Sequence, residues 1–255
     1  QAEGIRLDAV MAFSQEINAI STDLATREPA PEDFEAMAMT LQNLPLLFES
    51  VTGTYFLEDM TVNADEMIVE LAEARFGGGI AGLAGEASTV SLQLGMRELS
   101  ISPPPPMAQG FMPRTVAISI RLADLPNEAL MEAMNQVLTS AAQTGPEMAM
   151  MMGIGAIQGA LMSGESAIIV DELIFDTERA GVTGDARVEP SQESMFGVVA
   201  TATLVVAGLD AIIAAVKDLP EGTAIASVLT LIQAMGRDDT GPEGQPVKVF
   251  DVDFT

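Results

Sequence analysis

The chain lacks cysteine, histidine and tryptophan, has a single Tyr, and carries only two lysines, Lys217 and Lys248. Without Cys there is no disulfide framework and no thiol nucleophile. Without His and Cys together there is no zinc finger, no Ser-His-Asp triad, and no haem or copper centre of the usual ligand types. The scarcity of aromatic rings (4%) removes the stacking platforms that carbohydrate chemistry leans on. Basic residues are scarce too: 37 acidic side chains face 11 basic ones, for a formal charge of −26. Such a field repels phosphate backbones, so nucleic acid is excluded as an expected partner. Few lysines among mostly arginine cations fit a GC-biased coding background, and strong acidity fits a salt-tolerant bacterial protein.

What is present is apolar material, 48% of 255 residues, which is too much for a disordered chain and enough for one large domain. The longest apolar stretch, 148–162, falls short of the about 20 residues that span a bilayer. No basic and apolar leader pattern stands at the front, and Gln1 implies a processed or trimmed start.

The dominant pattern is period two. Val90, Leu92, Leu94 and Met96 alternate with small or polar residues, as do Val116, Ile118, Ile120 and Leu122. Met67, Val69 and Leu71, then Leu173 and Phe175, then Val198 through Val206 repeat it. The alternation predicts strands near 66–71, 90–101, 115–122, 167–175, 198–206 and 247–254, the last with a bulge at Phe250. One or two more are expected between Ile5 and Leu24. Helical spacing predicts helices near 32–44, 127–142, 147–162 and 209–235, the last broken by Pro220 and Gly222. Turns are expected at Gly77–Gly79, at Pro103–Pro106 as a connector, at Gly181–Gly184 and at Gly241-Pro242. The expected fold is α+β, a mainly antiparallel curved sheet with helices packed on one face. It forms a single domain, 1–255. Strand-to-helix passages at 114–145 and 196–236 echo one another as a loose internal duplication.

Motifs of catalysis are weak. Gly77, Gly79 and Gly82 match G-x-G-x-x-G, but no helix opens at the third glycine, so a flexible hairpin is the better reading. The carboxylate pairs Glu58/Asp59, Asp171/Glu172, Asp238/Asp239 and Asp251/Asp253 are read as solvated faces, since no twelve-residue calcium loop accompanies them. No catalytic residue, metal site or cofactor is expected. The Met-rich stretch around Met148, Met151 and Met152, with Gly155 and Gly159 in G-x-x-x-G spacing, reads as a core helix or as an adaptable apolar wall.

The segments Tyr55–Leu71, Ser88–Pro106 and Arg114–Leu130, with the closing Val247–Thr255, resemble periplasmic proteins of unknown function from α-proteobacteria. They are also loosely similar to AsmA-like and other extended-sheet envelope families. The resemblance implies a periplasmic or envelope location in a Gram-negative bacterium, a membrane tether and a short tail outside this chain, and a part in lipid handling or envelope assembly. Combined with the one-sided strands, it leads to a non-enzymatic protein that binds or guides an acyl chain or another hydrophobic small molecule. The expected lining is Leu92, Leu94, Met96, Ile118, Ile120, Met151, Ile154 and Leu204. The alternative is a structural or protein-interaction component of the envelope with no ligand.

Overall fold

The computed structural model describes residues 2–3, 49–64, 67–105, 110–144, 146–217, 222–242 and 244–255, with Leu219 and single positions between 11 and 40. Ten strands form one open antiparallel sheet in the order β1-β2-β3-β4-β5-β6-β7-β8-β10-β9. They are β1 (Ala2–Glu3), β2 (Ser50–Ala64), β3 (Met67–Ala81), β4 (Ala87–Ser102), β5 (Pro113–Pro126), β6 (Ala167–Thr177), β7 (Gly181–Pro190), β8 (Val198–Ala207), β9 (Arg237–Thr240) and β10 (Pro246–Phe254). From β2 to β8 each strand pairs with its neighbour in sequence. Two helical hairpins interrupt this meander: α1 (Asn127–Thr144) with α2 (Pro146–Ser163), and α3 (Leu209–Lys217) with α4 (Gly222–Met235).

Because successive strands alternate in direction, β5 and β8 run oppositely. Pro126 at the end of β5 stands opposite Ala87, whereas Ala207 at the end of β8 stands opposite Gly181. The two hairpins therefore leave the sheet at opposite ends of its strands. The first packs chiefly on itself and meets the sheet mainly at β5. Its base is tied down by Asn127, whose side-chain amide donates to the carbonyls of Gly82 (2.8 Å) and Gly85 (2.9 Å) in the β3–β4 turn. The second hairpin builds the main buried cluster, Leu209, Ile213 and Ala226, against which Val206 of β8 and Phe250 of β10 pack.

Several sequence expectations are corrected. Gly77–Gly79 is no turn but the middle of β3, and the reversal comes after it, at Gly82–Glu86. Gly181–Gly184 opens β7, where Val182, Gly184, Ala186 and Val188 alternate with Thr183, Asp185, Arg187 and Glu189. Strand β2, which the predicted set omits, is fifteen residues long; the charged Glu58-Asp59 step obscures its alternation, and Asp59 takes a positive φ of 51°. Phe250 is not a bulge: β10 pairs with β8 in unbroken register from Val247 to Phe254. Where the region 5–24 is described, Met11, Phe13–Gln15 and Asn18 are helical rather than extended. The helix expected at 32–44 falls mostly outside the described residues, and Asp33, Ala36 and Thr40 within it are helical.

The bulges that do exist restore the apolar phase. In β6, Glu172 faces Ser119 while Val170 faces Ile120, so Asp171 is an extra residue relative to β5. The insertion lets Ile168 and Val170 on one side, and Leu173 and Phe175 on the other, serve the same sheet face. Strict alternation alone would have turned one pair away.

Candidate functional site

Residues directly opposite in an antiparallel ladder project to the same face, so the registers define rows of neighbours across the sheet. One row runs Tyr55, Phe76, Leu94, Ile118, Leu173, Gly184, Leu204, Phe250. Beside it runs Leu92, Ile120, Val170, Ala186, Ala202, Val252, and on the other flank Met96, Val116, Phe175, Val182, Val206. Eight strands, β2 to β8 and β10, contribute to the longest row. At about 4.8 Å per strand it extends roughly 34 Å, comparable to the hydrocarbon thickness of a bilayer.

This apolar face is not buried along most of its length. Leu92 and Leu94 are 39% and 42% exposed, and Tyr55, Phe76, Leu122, Ile168 and Phe175 are exposed as well. Among the described residues the helical cluster covers this face at the β8–β10 corner, where Val206 and Phe250 meet Leu209 and Ile213. The result is a shallow apolar trough, closed at one corner by α3–α4 and open toward β2. Soluble proteins rarely leave contiguous apolar surface on this scale without a use for it.

Of the expected lining residues, the register brings Leu92, Leu94, Met96, Ile118, Ile120 and Leu204 together on the one face. Met151 and Ile154 lie elsewhere. They stand on α2, 75% and 64% exposed, in a hairpin that meets the sheet mainly at β5. Period 3.6 marks that helix as apolar, but nothing in the sequence says which element it meets. Missed by sequence reasoning were Tyr55, Phe76, Val182 and Ala186. For the last two the signal was the alternation of β7, hidden by reading Gly181–Gly184 as a turn.

No protein-family model matches the chain, and neither does any curated protein or solved structure.

The opposite face is mixed. Its polar rows include Gln93, Ser119 and Glu172, then Thr203, Asp185 and Asp251, then Ser91, Arg121, Arg187 and Thr201 with Ile169 between the two arginines, while Ile174, Val205 and the buried Val249 form an apolar run on the same face. Arg121 donates through Nε and Nη2 to the two carboxylate oxygens of Asp171, both at 2.5 Å. This two-point contact holds the Asp171 carboxyl below its ordinary range, the hydrogen bonds from Arg121 being the main cause, and raises the Arg121 guanidinium. Glu58 and Asp59 line one shallow cavity with Glu73, Arg97 and Glu98, where Arg97 pairs with Glu73, and Asp251 pairs with Arg237 at 3.4 Å. Among the described residues no group of three or more acidic side chains could hold a metal ion.

A depressed carboxylate pKa contributes stability above the ordinary carboxylate range, and that contribution is lost as pH falls through the depressed value. Both partners are partly exposed, so solvent screening keeps the effect small. Asp171→Asn is therefore expected to cost about 1 kcal/mol or less at pH 7, and less at an acidic pH, as Asp171 takes up its proton. Urea titrations at the two pH values check this.

Proposed function

We propose that this is a non-enzymatic protein of the bacterial cell envelope that holds or guides an acyl chain along the apolar face of its sheet. The observation that carries the reading is the row through Leu94, Ile118, Leu173 and Leu204 with its flanking rows, apolar from strand to strand and exposed or half-buried rather than buried. An acyl chain needs continuous apolar contact and no hydrogen-bond partners, which is what these rows offer. In this reading the strands curve around the chain, and the α3–α4 hairpin stops it at the β8–β10 corner. The periplasmic location and a tether ahead of the chain follow from the family resemblance, and the trough supplies the reason for a lipid.

Protein purified from its own host, gently and without detergent, should yield a bound acyl lipid on organic extraction and a matching mass increment in native mass spectrometry. Recovery of the bare chain alone, with a protein partner protected against the sheet instead, would transfer the trough to the structural or interaction reading.

A further inference from the structure

Residues 133–164 include a single charged side chain, Glu147, in a protein that is 19% charged overall. They form nearly all of the α1–α2 hairpin beyond its first turn. Glu128 and Glu132 lie in that first part of α1, at the end held by Asn127. This stretch, uncharged but for Glu147, leads away from the strand end at Pro126 and returns toward Ala167.

Helix α2 turns one narrow side to α1. Ala149, Gly153 and Ala160 are buried, and a Cβ on Gly153 would stand 2.4 Å from Val137 Cγ2, so the two helices are in close contact there. The rest of its circumference faces outward. At 100° per residue, Met148, Met151, Met152, Ile154 and Ile157 spread over more than half of the helix, and all five are exposed. Gln158 is the one polar side chain among the described residues of this arc, and Gly155 and Gly159 are open, with no atom within 4 Å of where a Cβ would stand. A helix apolar on all sides belongs in an apolar environment.

We infer that the α1–α2 hairpin docks on a lipid bilayer, with α2 embedded in the interface of an electrically neutral, zwitterionic surface. Three observations select a bilayer over a protein partner. The exposed arc is too wide for one flat protein face, whereas lipid conforms to any contour. It has no aromatic or arginine anchors, which specific protein interfaces carry. Its unbranched methionines suit a disordered, fluid neighbour. The −26 charge selects the lipid, since anionic headgroups would repel the rest of the molecule. No described helix is long and apolar enough to cross a membrane, and the docking proposed for α2 is interfacial.

The absence of Trp gives a clean test. Ile154→Trp, in the full chain mixed with phosphatidylcholine vesicles, should show a blue-shifted emission and protection from aqueous quenchers. Met195→Trp, on the exposed β7–β8 loop, should show neither. Co-sedimentation with the same vesicles should fall at least about tenfold for the pair Met151→Glu and Ile154→Glu, and should weaken on phosphatidylglycerol vesicles for the unsubstituted chain. Both glutamates replace exposed side chains, and circular dichroism checks that the variant folds. Leu92→Glu with Leu94→Glu should leave vesicle binding intact, which separates this inference from the acyl-chain reading. An unshifted Ile154→Trp emission would overturn the inference, as would a dimer that the Met151/Ile154 variant dissociates while vesicles bind neither form.

Discussion

Replacing Leu92 and Leu94 with glutamate should lower acyl-lipid retention by at least about a hundredfold while the protein stays folded. The two residues sit next but one on β4, opposite Ile120 and Ile118, in the open middle of the trough. Each introduced carboxylate would have to be stripped of water when a hydrocarbon chain settles on it. Burying an unpaired polar group costs about 2–7 kcal/mol and a charge costs more, while about 1.4 kcal/mol is a tenfold change in affinity. In the free protein the same carboxylates remain hydrated, because both positions are substantially exposed. The cost in folding is therefore about 1 kcal/mol or less. Extraction of lipid from the variant, set beside its urea midpoint, separates the two effects. Undiminished lipid on a folded variant would mean that the acyl chain lies elsewhere.

The second large effect is structural. Gly208→Ala should cost roughly 4 kcal/mol or more, enough to unfold a domain of ordinary stability. Gly208 joins β8 to α3 with a φ of 68°, and its carbonyl accepts from the amides of Ala211 and Ile212 at 2.9 and 3.2 Å. A Cβ there would stand 1.9 Å from the Arg179 carbonyl oxygen and 2.9 Å from the Ala180 Cα. Both obstacles are backbone, so no side-chain rotation relieves the clash. The turn would have to move, and with it Leu209 and Ile213, which anchor the buried cluster on Val206 and Phe250. Gly155→Ala is the counterpart. It lies in α2 with open space around it, so the same substitution should stabilise by about 0.5–1 kcal/mol through helix propensity alone. Urea denaturation of both variants makes the comparison. A mild Gly208→Ala would show that the β8–α3 turn adapts and that the close approach to Arg179 is not structural.

How much of this was legible in the sequence differs from strand to strand. Alternation found β4, β5 and β8 because their apolar residues keep one phase over most of their length, as Val90 to Met96 do. It passed over β7, whose trough-facing positions include Gly184 and Ala186, residues too small to register as hydrophobic in a period count. It passed over β2 because the Glu58-Asp59 step masks its pattern. It found β6 as one strand at 167–175 but not the change of phase at Asp171, because a bulge is visible only once a partner strand supplies the register. For the candidate site, Leu92, Leu94, Met96, Ile118, Ile120 and Leu204 were grouped correctly on one face, since each belongs to a strand with a clear inward set. Met151 and Ile154 were joined to them only because they are apolar.

The sequence by itself determined that this is an acidic, antiparallel, strand-rich chain without imidazole or thiol chemistry, because composition and period two are local properties that each segment carries alone. Tertiary structure alone decided which strands are neighbours, that the two hairpins leave at opposite ends, and that the apolar face lies open over β2–β6. Those facts depend on register and on contacts between residues far apart in the chain. A helix that is apolar all round looks the same in sequence whether another element covers it or not, and only the packing of Gly153 on Val137 fixes which side of α2 is covered.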